Sequence, residues 1–371
     1  MIPPAIDDAI DLSRIHRALV IKLRHHGDVL LASPVFTVLK RAAPHAEIDA
    51  LVYLETAPML ERHPAISVVH TIDRRHKDRG PVSQILGDGR LWWALRSRRY
   101  DLVVHLTEHP RGAWLTRIAG ARWGVAPERA RSGWFWRRCF THRYVLPRST
   151  PRHTVEADLD ALRRIGIWPD DHDKKLVHVP GPDADKRVAD LLAAHGLARG
   201  RFVLIHPGSR WLFKCWPAAP TAALLDRLAG MGWPLVMTGA PDPAEAPLVK
   251  AIKGALASPI VDLTGQLTMP ELSALIASAR LFIGCDTAPM HLASAAGTPV
   301  VAWFGPSDER AWGPWRVPHR VVASTTHFCR PCHNNGCGGS NHSDCLLTLP
   351  LDPVSAAVIA LLDETGTAAR R

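Results

Sequence analysis

The chain has 371 residues, 47% of them apolar and 22% charged, with a formal charge of +10. That length accommodates two domains of ordinary size, the balance is that of a globular protein, and no apolar run approaches the ~18 residues of a membrane span. The basic excess points to an anionic partner, whether nucleic acid, a phosphorylated glycan or an acidic membrane face, and does not choose among them.

The opening segment, MIPPAIDDAIDLSRIHR, carries three aspartates and no apolar core. It does not read as a secretory signal, so a cytoplasmic protein is expected. Residues 18–23 (ALVIKL) predict a strand, RHHGD a polar turn, and 29–41 a helix. Strands follow at 47–52, 68–72 and 102–106, with helices at 56–62 and 85–98 between them. Strands alternating with helices imply a parallel sheet covered by helices. Residues 121–143 (ARWGVAPERARSGWFWRRCFTHR) are basic and aromatic without a clean period. Residues 153–165 predict an amphipathic helix, and 169–183, rich in proline, aspartate and lysine, a linker.

The pattern then restarts. Helices are expected at 185–195, 219–229, 244–255, 270–278 and 290–296, and strands at 202–206, 234–238, 259–262, 281–284 and 299–303. The expectation is an α/β protein of two doubly wound, Rossmann-like domains, 1–168 and 184–350, facing a central cleft, with a C-terminal helix and tail over 351–371. In open sheets of this kind ligands bind outside the carboxyl ends of the strands.

The loops at those ends carry the chemistry. Asp28 lies in the turn after the first strand, either as a general base or as the cap of the following helix. HPGSRWLFKCWP (206–217) supplies Ser209, Arg210 and Lys214, suited to clamp a diphosphate or simply a solvated basic loop. TGAPDPAE places Glu245 where a ribose hydroxyl could be held. CDTAPMH puts Asp286, Thr287, Ala288 and His291 at the start of a helix of small residues, a site for phosphate. There too Asp286 reads equally well as a cap and His291 as a packed core residue.

Together VIKLRHHGDVLLASPVFTVLKRAAP, HPGSRWLFKCWP and GCDTAPMHLASAAGTPVVAWFGPSDERAWGPW resemble the lipopolysaccharide heptosyltransferases. These are ADP-heptose-dependent, inverting enzymes of the GT-B class, glycosyltransferase family 9. The resemblance spans roughly residues 18–350. HFCRPCHNNGCGGSNHSDCL and RHTVEADLDALRRIGI are most similar to the type III branch, which adds a side-branch heptose to the inner core.

The resemblance implies Asp28 as the base that deprotonates the acceptor hydroxyl and Lys214 as the diphosphate ligand. It implies Thr287, Ala288 and His291 as the phosphate-contacting helix start and Asp286 as the group holding heptose hydroxyls. Glu245 would bind the adenosine ribose, and Ser209 would join the donor set. The family often has glycine where Ala288 stands. No catalytic cofactor is implied, and none of the expected cleft loops carries a D-x-D motif to hold a cation.

The anionic acceptor is assigned to Arg24, Arg131, Arg137 and Arg138, with peripheral contact at the cytoplasmic face of the inner membrane. No nucleic-acid recognition motif is present. Cys329, Cys332, Cys337 and Cys345, spaced C-x2-C-x4-C-x7-C, read either as a structural zinc site or as a loop of reduced cysteines. The alternatives are an acceptor like those of the type I and II branches, or a non-catalytic protein that binds a nucleotide sugar or glycan.

Overall fold

The computed structural model describes residues 6–74, 81–128, 133–146 and 151–368. The chain divides into two compact units, Met1–Val179 and Pro180–Arg371. In the first unit the elements are β1 (Arg17–Ile21), α1 (His26–Leu31), α2 (Ser33–Ala42), β2 (Glu47–Tyr53), β3 (Val68–Ile72) and α3 (Pro81–Arg98). They continue as β4 (Leu102–His105), α4 (Pro110–Ala119), β5 (Trp123–Pro127), α5 (Trp134–Cys139), β6 (His142–Tyr144) and α6 (Thr154–Arg163).

The second unit begins with α7 (Pro182–Ala194), β7 (Val203–His206), α8 (Ala218–Gly230), β8 (Leu235–Met237), α9 (Ala246–Ala255), β9 (Val261–Asp262) and α10 (Met269–Ser278). It ends with β10 (Leu281–Cys285), α11 (Ala288–Ala296), β11 (Val300–Phe304), α12 (Glu309–Trp312), β12 (His319–Ala323), α13 (Asp344–Leu347) and α14 (Leu351–Ala368).

Each unit holds one six-stranded parallel sheet, ordered β3-β2-β1-β4-β5-β6 in the first and β12-β11-β10-β7-β8-β9 in the second. Counted within each unit, both orders are 3-2-1-4-5-6, the doubly wound arrangement whose direction reverses between the first and fourth strands. The central strands explain why. LVVH, VLIH, LFIGC and VVAWF are buried along their whole length, as strands covered by helices on both faces must be. In the second core Trp216 and Trp303 pack with ring centroids 5.5 Å apart.

Several elements depart from the sequence reading. The helix expected over 29–41 is two helices, broken at Ala32, because Pro34 lacks the N–H that would continue α1 and instead occupies the first turn of α2. The short helix expected at 56–62 is a 3-10 turn over Leu54–Met59. The aperiodic segment 121–143 contains β5, α5 and β6, with a Gly and a Pro inside WGVAP and only three residues in β6. Helix α4 and strand β12 were not anticipated. Much of the expected linker packs on the first unit: Val177 donates its N–H to Ser33 Oγ at 2.9 Å, and Arg41 Nε meets Asp173 at 2.9 Å.

Among the described residues no helix is long and apolar enough to cross a membrane. His63, His105, His178 and His206 lie largely inside, and burial pushes each imidazole down to about 4. In the unfolded chain each titrates near 6.5. Between those values the unfolded chain binds more protons, so their contribution is full above pH 6.5 and is lost as pH falls toward 4. Each group supplies up to ~1.4 kcal/mol per pH unit in that window. Asp158, raised to about 6 chiefly by burial, and Glu245, also raised by burial, work the other way, two groups against four. Thermal melts should show Tm several degrees lower at about pH 5 than at about pH 7; an unchanged Tm contradicts this.

Candidate active site

In the second unit the reversal point lies between β7 and β10, which pair in parallel with Gly284 opposite His206. The loops leaving these two strands therefore emerge side by side. The β7 loop ends in a 3-10 turn, Leu212–Lys214. From it Lys214 Nζ reaches Asp286 Oδ2 at 2.6 Å and the Asp286 carbonyl at 3.2 Å. Lys214 also lies over the Trp211 ring, 5.0 Å from its centroid. Both partners of the ion pair are largely buried, with side chains 16% and 7% exposed. An ion pair this sheltered is weakly screened, and each charge holds the other in place.

Beyond Asp286, Thr287 is the N-cap of α11 with extended backbone, and Ala288 and Pro289 form its first turn. Asp286 is thus not the cap; its carboxylate is committed to Lys214. Thr287 Oγ1 lies 3.4 Å from the Cys285 carbonyl and makes no capping bond. His291 is one turn into α11 and buried. A lysine and a helix N-terminus, with the partial positive charge of the helix behind it, thus lie in one loop cluster.

Ser209 and Glu245 are turned inward. Ser209 Oγ accepts the Trp211 N–H at 3.2 Å, which shapes the β7 loop. Glu245 Oε2 accepts the Ala240 N–H at 3.1 Å and lies 3.8 Å from His206 Nε2. Burial raises its pKa. A Cβ at Gly208 would come within 2.5 Å of that carboxylate oxygen, so only glycine lets the two loops approach this closely. Glu245 therefore braces the β7 and β8 loops.

In the first unit the reversal point lies between β1 and β4. Here Asp28 is the third residue of α1, whose cap is His25. Its carboxylate is 13% exposed and takes a 3.3 Å contact from Arg24 Nε. Behind it, Lys22 Nζ sits 2.7 Å from both oxygens of Asp158, and both residues are buried. Burial pushes the Asp158 carboxyl up to about 6, the Lys22 charge pulls against that shift, and the Asp28 charge adds to it.

The sequence reading missed this pair, although its signals were present. Lys22 interrupts the apolar run ALVIKL just past the end of β1, and Asp158 lies on the buried stripe of α6 with Val155, Leu159 and Leu162. Arg137 and Arg138 are exposed on α5. Arg131 lies outside the described residues.

The zinc expectation is corrected. Among the described residues no group of three or more His, Cys, Asp or Glu is placed to hold a metal ion. Cys329 and Cys337 are exposed and Cys332 partly so, while Cys345 is buried on α13. Cys329, Cys332 and Cys337 nevertheless lie near enough to Cys345 to help raise the pKa of its thiol, which burial raises most.

The profile of glycosyltransferase family 9 (heptosyltransferase) matches residues 89–341. The chain is 36% identical to lipopolysaccharide heptosyltransferase 3 of Escherichia coli K12 over 351 residues, which cover 94% of this chain and 99% of that one. A solved family 9 glycosyltransferase from Veillonella parvula matches with a TM-score of 0.81 at 23% identity, covering 96% of this chain and all of the other. The ADP-heptose lipopolysaccharide heptosyltransferase II of Escherichia coli matches at 0.74 and 21%, covering 94% and 99%. The paired parallel sheets are those of the GT-B heptosyltransferase structures. The chain belongs to glycosyltransferase family 9, the heptosyltransferases.

Proposed function

We propose that this enzyme transfers heptose from ADP-L-glycero-D-manno-heptose to a heptose of the lipopolysaccharide inner core, with inversion, in the manner of the type III branch. The Lys214–Asp286 pair at the mouth of α11 carries the reading. It offers an ammonium for a diphosphate, a carboxylate for sugar hydroxyls and backbone N–H groups for phosphate oxygens. The 36% identity to heptosyltransferase 3 across nearly the whole chain supports the branch.

Inversion is a single displacement. The acceptor oxygen attacks the anomeric carbon as the bond to the β-phosphate breaks on the opposite face. Asp28 takes the proton from the acceptor hydroxyl. Charge grows on the leaving diphosphate, and Lys214, His291 and the N–H groups at Thr287 and Ala288 stabilise it more in the transition state than before it. Glu245 acts at the ribose end of the donor by holding its loop, with Ser209 shaping the neighbouring one. These protein groups fill the role a cation would play, so no cofactor takes part. Arg24, Arg137 and Arg138, with Arg131, meet the anionic acceptor. The enzyme works in the cytoplasm as a peripheral protein of the inner membrane.

Replacing Lys214 with alanine should weaken ADP-heptose binding by roughly 10–100-fold, the worth of a charge-assisted contact, and lower the melting temperature, because it strands the buried Asp286 carboxylate. Calorimetric titration with ADP measures this directly. Unchanged affinity would remove Lys214 from the clamp.

A further inference from the structure

The outer surface of the first unit repeats one pattern on three neighbouring helices. α3 packs on α4 and α4 on α5. Each carries a tryptophan followed by an arginine one turn later on the same side: Trp93 and Arg96, Trp114 and Arg117, Trp134 and Arg137. The three tryptophans are 74%, 60% and 72% exposed, and Trp92 beside them 48%. All three arginines are exposed.

The surface is continuous. Trp114 packs on Phe135 at 4.4 Å between ring centroids, and the Arg96 guanidinium lies over Gly120 at the end of α4. Neither α4 (PRGAWLTRIA) nor α5 (WFWRRC) contains an acidic residue. The C-terminal end of α3 is fixed, because Arg98 bonds Asp49 on β2 at 2.8 and 2.9 Å.

We infer that this face seats the enzyme on an anionic lipid surface, with Trp93, Trp114 and Trp134 at headgroup depth and Arg96 and Arg117 on the phosphates. Exposed indole rings with one apolar and one polar edge prefer the membrane interface. Guanidinium groups one turn away match phosphate and let their stems lie along the apolar layer. A protein partner would favour a central patch depleted of charge, whereas here an arginine accompanies every tryptophan. Single-stranded nucleic acid would need a groove between its stacking platforms, and these residues stand on the outer faces of helices. Trp134 opens α5 at the carboxyl edge of the sheet, the edge that also carries Asp28. A lipid-seated face would therefore bring an embedded acceptor to the base, a consequence that rests on the glycolipid acceptor proposed above.

The test is co-sedimentation of the full chain with vesicles of phosphatidylglycerol and phosphatidylethanolamine, against phosphatidylcholine alone. The wild type should bind the anionic vesicles. Trp93→Ser, Trp114→Ser and Trp134→Ser together should weaken that binding at least about tenfold with an unchanged melting temperature. Arg96→Gln with Arg117→Gln should abolish the preference for anionic vesicles. The tryptophan variant should transfer heptose to a delipidated, soluble core oligosaccharide at the wild-type rate.

Wild-type protein that stays in the supernatant overturns the inference, as does a tryptophan variant that binds as tightly as wild type. A dimer dissolved by the same substitutions, without vesicle binding, assigns the face to a second copy and overturns it too. Vesicle binding lost with the tryptophans, in a protein that transfers no heptose, supports the face and removes the proposed reaction.

Discussion

Replacing Asp28 with alanine is expected to lower kcat by about 10²–10⁴-fold, the usual worth of a positioned general base. The position explains the size of the effect. Asp28 stands in the first turn of α1 at the carboxyl end of β1, with Arg24 against one oxygen and the Lys22–Asp158 pair behind it. On the proposed mechanism, removing the carboxylate deletes the proton acceptor and leaves the second unit, proposed to bind the donor, untouched. ADP affinity and melting temperature should therefore stay at wild-type values. Asp28→Asn keeps the shape without the basicity and should be nearly as slow. Steady-state kinetics with calorimetry separates the two effects, and a wild-type rate in either variant removes Asp28 from the base role.

The second large effect is on stability. Asp158→Ala should destabilise the first unit by about 3–5 kcal/mol, because it strands the buried Lys22 ammonium without its partner. At ~2–4 °C per kcal/mol for a unit of this size, Tm should fall by roughly 10 °C. Replacing both partners, Lys22→Met with Asp158→Leu, removes the buried charges together and should restore most of that loss. Differential scanning calorimetry of the single and double variants makes the comparison. A single variant that melts with the wild type would show that the pair holds nothing, and a double variant no better than the single would place the loss in packing instead.

The strands at the centre of each sheet were legible because they are apolar on both faces. VLIH, LFIGC and VVAWF admit few other readings, and the polar turns behind them located Lys214 and Asp286. The edge strands were hidden, since β6 has three residues and β5 includes a glycine and a proline. The break between α1 and α2 depended on Pro34, which a continuous apolar period conceals. Lys22 and Asp158 lie 136 positions apart, and only the fold shows that they meet. Glu245 was legible as a loop carboxylate, but not as one turned inward on the Ala240 N–H. The cysteine spacing was legible, but not that Cys345 would be buried on α13 while Cys329 and Cys337 stay exposed.

The most direct measurement is mass spectrometry of a purified reaction containing ADP-heptose and a truncated core glycolipid that already carries two heptoses. Gain of one heptose by the wild type, absent with Asp28→Ala, is the predicted result. No gain on this or on less elaborated acceptors, by a protein that still binds ADP, would contradict heptose transfer as the function of this chain.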